Sequence, residues 1–184
     1  MTMEFTPFGK IARWSREVII TEKIDGTNAS VLISDDGAEI AAASRSRILK
    51  PGEDNFGFRA WVEANRDALL ALGPGQHFGE WWGSGIQRGY GLKVKRFSLF
   101  NVSRWGDSAR PSCCDVVPVL WRGPADLLNY SIIRALELLR LGGSQAAPGF
   151  MKPEGIVVFH VAGGHLYKKT LEKDDQPKGK GETP

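Results

Sequence analysis

The sequence predicts a single α+β domain built on mainly antiparallel sheets. Three observations predict it: short β-branched runs bounded by Gly, Asp and Pro, two longer stretches with apolar residues at helical spacing, and an order in which strands follow one another more often than they alternate with helices.

The first strand falls at about Glu17 to Thr21, where Val18-Ile19-Ile20-Thr21 is β-branched throughout. Asp25-Gly26 supplies a tight turn into a second strand, Asn28 to Ser34. Asp35-Asp36-Gly37 turns the chain again into Ala38 to Ser44, which makes an antiparallel meander. From Phe58 to Leu72, residues Phe58, Trp61, Val62, Ala68, Leu69 and Leu72 fall near a helical period, and Gly73-Pro74-Gly75 stops the helix. Strands resume at Phe78 to Trp82, Arg96 to Val102 and Val116 to Leu120. A second helix spans Asp126 to Leu141 and ends at Gly142-Gly143, before strands at Gly155 to Val161 and His165 to Lys169. Beyond Leu171 the chain from Glu172 to Glu182 is charged and rich in Gly and Pro, which reads as a flexible tail. The expected organisation is one domain over residues 1–171 and a tail over 172–184, with no internal repeat.

Composition narrows the class. The 184 residues are 42% hydrophobic and 24% charged, enough for one sizeable core and unlike a disordered chain. A net charge of +3 is mildly basic and helps a protein meet polyanions without requiring it to. The N-terminus lacks a basic stretch followed by an apolar one, and no segment reaches the length of a membrane span, so a cytoplasmic protein with no membrane partner is expected. Cys113 and Cys114 are adjacent, which suits reduced thiols better than a stapling disulfide or a metal site; His77, His160 and His165 show no metal-ligand spacing.

The chemistry concentrates in Glu22-Lys23-Ile24-Asp25-Gly26-Thr27-Asn28. A lysine amine attacks only when neutral, so a nucleophilic lysine needs burial or nearby cations to lower its pKa, and a rigid element to hold it. Lys23 closes a strand and precedes a turn. Further segments follow in order, each ending a strand-like run with a charged or aromatic residue: Ser44-Arg45-Ser46-Arg47, Phe78-Gly79-Glu80, Arg96 to Val102 with Phe100, Pro153-Glu154-Gly155-Ile156-Val157-Val158, and Tyr167-Lys168-Lys169. After Glu80 comes a glycine-rich loop, Gly83 to Gly91, carrying Gln87, Arg88 and Tyr90; its spacing is not that of a Rossmann or P-loop fingerprint.

On these motifs, from Lys23 to Lys168, the chain resembles the covalent nucleotidyltransferase superfamily of polynucleotide ligases and capping enzymes, and within it the ATP-dependent nick-sealing RNA ligases of bacteriophage and RNA-editing type. The resemblance implies a nucleotidyltransferase (ligase adenylation) fold. It makes Lys23 the nucleophile that takes AMP from ATP, Glu154 the carboxylate that helps hold Mg2+ or Mn2+, and Lys168 the cation that neutralises the α-phosphate. It puts the backbone at Glu22 and Ile24 against the adenine edge, their side chains mattering less, and adds Asn28, Arg45 on ribose and phosphate, Glu80 on the ribose hydroxyl and Phe100 stacked on adenine. Arg47, Gln87 and Arg88 are the expected nucleic-acid contacts. Many relatives carry Lys-x-Lys where this chain reads Lys168-Lys169-Thr170, and Lys168 is taken as the functional residue over Lys169.

The implied reaction transfers AMP to an RNA 5′-phosphate and joins that end to a 3′-hydroxyl. Family ligases commonly append another domain after the last lysine motif, so a minimal adenylyltransferase domain is expected here, with a partner as one source of a nucleic-acid-binding domain. A DNA ligase core and a GTP-using mRNA capping enzyme share Lys-x-Asp-Gly and stay open, as does a non-catalytic nucleotide or nucleic-acid binding module using Arg45, Arg47, Arg88 and the aromatics as a platform.

Overall fold

The computed structural model describes residues 4–106, 110–172 and 174–175. In chain order the elements are β1 (Glu17–Lys23), β2 (Thr27–Ile33), β3 (Ile40–Ser44), α1 (Phe58–Ala64), α2 (Arg66–Leu69), β4 (Gly75–Gly83), β5 (Lys95–Leu99), α3 (Val102–Trp105), β6 (Cys114–Val116), β7 (Val119–Pro124), α4 (Leu128–Gly142), β8 (Gly155–His160) and β9 (His165–Thr170). They form two sheets, ordered β7-β1-β8-β9 and β3-β2-β4-β5-β6. The β5–β6 pairing is parallel and the others antiparallel.

Alternation along β1 explains how the sheets stack. Val18 and Ile20 pack with Ala135, Leu136 and Leu139 of α4, while Ile19 on the opposite face joins Ile24, Trp82, Tyr90 and Val117 in a cluster between the two sheets. On the far side of the five-stranded sheet, Ala29, Val31, Trp81, Phe97 and Leu99 pack against Phe58, Val62, Leu69 and Leu72 of the α1–α2 region. Each fully buried Ile or Leu contributes about 1.5–3 kcal/mol, so β1, apolar on both faces, anchors the residue that ends it. Cys113 and Cys114 are both free thiols, Cys114 lying in the core beside Phe97.

Four features differ from the sequence expectation, three with a clear local cause. The helix expected from Phe58 to Leu72 breaks at Asn65, whose side-chain Nδ2 and backbone N–H both donate to the Trp61 carbonyl, ending α1. The strand expected to run to Val102 stops at Leu99, because the Asn101 side chain accepts from the Arg104 N–H at 3.0 Å and caps α3. The run from Val116 to Leu120 is two strands in different sheets: Val116 pairs with Leu99 and Val119 with Thr21, and Pro118, which has no N–H for a ladder, sits at the crossing. Finally, β4 starts at Gly75, three residues earlier than expected. The tail expected from residue 172 lies mostly outside the described residues. Among the described residues no helix is long and apolar enough to cross a membrane.

Candidate active site

Lys23 is the last residue of β1, opposite Gly155 at the start of β8. Its Nζ donates to Glu154 Oε2 at 2.6 Å, with the lysine side chain 19% and the glutamate 4% exposed. Glu154 thus approaches from the neighbouring strand, one residue before the β8 ladder begins.

The turn after Lys23 is fixed by close packing on β4. A Cβ placed on Gly26 would meet the Trp81 carbonyl at 2.5 Å and Trp82 Cβ at 2.7 Å, so only glycine lets the turn come this close. At that approach the Gly26 N–H donates to Glu80 Oε1 at 3.0 Å. The Asp25 N–H donates to the Tyr90 hydroxyl at 2.8 Å, and the Asp25 carboxylate accepts from Arg88 Nε at 3.0 Å.

Burial pushes the Glu80 carboxyl up to about 7; the Lys23 charge and the Gly26 N–H pull it down, and Glu154 and Asp25 push it up. This places its titration in the physiological range. Strand register extends the site from Glu80. Asn28 lies opposite it on β2 and Ser98 opposite it on β5, so the three share a sheet face. Phe100, two residues past Ser98, is 39% exposed, while Phe97 and Leu99 are in the core, as alternation requires. Arg45 follows Ser44, which pairs with Ala29, so it is exposed just beyond the β3 ladder on the Asn28 side.

Register also separates the two lysines of β9. Thr21, Val157 and Lys168 form one cross-strand row, and Lys23, Gly155 and Thr170 form another on the same face. Lys169 stands in the row of Glu22 and Ile156, on the α4 face, and its Nζ pairs with Asp174 at 3.1 Å. Thr170, two residues past Lys168, shares the lysine face with it.

A family model described as RNA ligase matches residues 16–169. The chain belongs to the RNA ligase family. Its fold is similar to that of a lysine-to-alanine mutant of Naegleria gruberi RNA ligase with ATP and Mn, with TM-score 0.60 and 22% identity over 84% of this chain and 48% of that one. An archaeal ATP-dependent RNA ligase matches with TM-score 0.59 and 16% identity, over 90% of this chain and 48% of the other. The Naegleria ligase with pyrophosphate matches with TM-score 0.57 and 21% identity, over 85% and 50%. The chain spans about half the length of these solved relatives, and at these identities the likeness is one of fold.

Within this RNA ligase-family domain the residues expected to meet nucleic acid are spread over two places. Arg47 is exposed in the bend after β3, 3.4 Å from Glu53. Gln87 is exposed at the tip of the glycine-rich loop, in a left-handed conformation with φ +46°. Arg88 is engaged within the protein: besides Asp25 it donates through Nη1 to the Lys152 carbonyl at 2.9 Å.

Glu22 and Tyr90 carry more than the sequence indicated, whereas Ile24 does not. Ile24 is core, as its side chain packs between the sheets. Glu22, expected to act through its backbone, has a side chain 1% exposed whose Oε2 accepts from the N–H groups of Gln145 at 2.7 Å and Ala146 at 2.9 Å. Burial raises its pKa, opposed by the hydrogen bonds from Ser144, Ala146 and Gln145. The carboxylate therefore ties the end of β1 to the loop after α4. An acid at the end of an apolar strand was the available signal, since such a group needs a partner. Tyr90 is the other, its phenol meeting the turn from the glycine-rich loop.

Proposed function

We propose that this chain is the adenylyltransferase domain of an ATP-dependent RNA ligase, with Lys23 as its nucleophile. The observation that carries this reading is the junction of Lys23, Glu154 and the Gly26–Glu80 hydrogen bond at the end of one strand, in a chain of the RNA ligase family. In the first step Lys23 Nζ attacks the α-phosphorus of ATP. The N–P bond forms as the bond to the β-phosphate oxygen breaks, pyrophosphate leaves, and the amine gives up its proton. AMP then passes from Lys23 to an RNA 5′-phosphate, and attack by a 3′-hydroxyl seals the strand and releases AMP.

The chain's own residues divide the work. The backbone around Glu22 and Ile24, with Asn28, meets the base and sugar; Glu80 takes the ribose hydroxyl and Phe100 stacks on adenine. Arg45 and Lys168 neutralise charge on the α-phosphate as the pyrophosphate leaves. The exposed Arg47 and Gln87 meet the RNA, while Arg88 holds Asp25.

Among the described residues no three His, Cys, Asp or Glu side chains gather as a ready-made metal cage. The donor set fits Mg2+ or Mn2+ held by one carboxylate, Glu154, and otherwise by water and phosphate oxygens. Held there by Glu154, the cation would supply positive charge at the α-phosphate that Lys23 attacks. We place the protein in the cytoplasm, where two free thiols stay reduced.

Incubation with ATP, magnesium and a nicked RNA carrying a 5′-phosphate tests the reading. A sealed strand is expected; tight RNA or nucleotide binding with neither an adduct nor sealing would replace it with the binding-module alternative.

A further inference from the structure

Tyr90 holds a backbone conformation unusual for a bulky residue. Gly89, Tyr90 and Gly91 are all left-handed, with φ of +65°, +52° and +66°, a region that bulky residues rarely enter. The two glycines adopt it freely; the tyrosine between them is held there by its contacts. Its ring, 2% exposed, meets Trp82 edge-on at 5.0 Å and Phe150 at 4.6 Å, and its hydroxyl accepts the Asp25 N–H in a buried setting. Two positions earlier, Arg88 takes the Asp25 carboxylate and, through Lys152, the segment leading to Glu154. The glycine-rich loop therefore grips Asp25 at both its backbone and its side chain, two residues after the nucleophile.

We infer that Tyr90 is a positioning residue for Lys23: its hydroxyl holds the Ile24–Asp25 peptide so that the end of β1 aims the amine at the α-phosphate. The inference rests on the adenylyltransferase reading above. A role in packing alone would need only the ring, which phenylalanine supplies. A role in aiming needs the oxygen, and small errors of aim cost rate more than binding.

Single-turnover formation of the Lys23 adduct, followed by intact mass across ATP concentrations, tests this with Tyr90→Phe and with Phe150→Leu as a packing control. Tyr90→Phe is expected to melt cooperatively and to lose about tenfold or more in maximal rate, with half-saturating ATP within about twofold of wild type. Phe150→Leu, which thins the packing on the same ring, is expected to melt lower yet react within about threefold of wild type. Hydrogen exchange of the peptide containing Asp25 and Gly26 is expected to quicken in Tyr90→Phe and not in Phe150→Leu. The role is overturned if wild type reacts and Tyr90→Phe reacts as fast, if Phe150→Leu loses as much rate as Tyr90→Phe, or if Tyr90→Phe does not fold. A wild type that forms no adduct overturns the adenylyltransferase reading itself, and this role with it.

Discussion

Lys23 and Glu154 meet across adjacent strands, Nζ to Oε2 at 2.6 Å, because the β1–β8 register pairs Lys23 with Gly155 and leaves the glutamate one step beyond the ladder. Gly155 makes the meeting compact. A Cβ there would strike the Lys169 carbonyl on β9, so the three strands close up tightly beside the lysine.

Gly26→Ala tests the turn that follows. The added methyl would overlap the Trp81 carbonyl and Trp82 Cβ and push Gly26 N–H off Glu80. Thermal or urea unfolding is expected to show a loss of about 1–3 kcal/mol from overpacking, and adduct formation is expected to slow.

Glu80 makes stability depend on pH in a stated direction. Its carboxyl titrates near 7 in the fold against 4.5 ordinarily, so between those values the native state keeps a proton that the unfolded chain has released. Stability conferred by that proton is present at low pH and falls as pH rises toward 7. Glu80→Gln removes the dependence: its stability relative to wild type is expected to grow from about pH 4.5 and level off above about 7, by on the order of 1–3 kcal/mol, in denaturant melts across pH.

Lys168 and Lys169 separate cleanly by face. Lys168→Ala is expected to cut the rate of adduct formation by about a hundredfold or more, as loss of an electrostatic contact to the transition state does. Lys169→Ala removes only an exposed pair with Asp174 and is expected to leave the rate near wild type. Single-turnover rates of the two variants decide it; the reverse ranking would reassign the site.

Glu22→Ala withdraws the acceptor for two backbone amides, those of the exposed Gln145 and the half-buried Ala146. Losing the two charge-assisted hydrogen bonds is expected to cost about 1–3 kcal/mol, read in denaturant melts, and to raise hydrogen exchange in the loop after α4.

How far the sequence revealed this molecule depended on whether the deciding partner was local. The Lys-x-Asp-Gly turn and the meander that follows it are short-range patterns, and they were legible. The division of Val116 to Leu120 between two sheets was not, because β6 pairs with β5 and β7 with β1, far apart in sequence. The partners of Glu22 lie beyond α4, and Tyr90 meets Asp25 from the glycine-rich loop, so their roles emerge only when the chain is folded. Lys168 and Lys169 are adjacent letters in the sequence; strand register alone puts one on the face of Lys23 and the other on the face of α4.

The central claim is that Lys23 forms a covalent bond to AMP. Intact-mass spectrometry of the protein after incubation with magnesium and ATP, or with magnesium and GTP, measures it, with Lys23→Arg alongside as a variant that keeps the charge facing Glu154 but lacks the nucleophile. The account predicts a gain of one AMP on the wild type with ATP, no gain with GTP, and none on Lys23→Arg with either. An adduct on Lys23→Arg, or no adduct on wild-type protein that did not start out adenylylated, would contradict it.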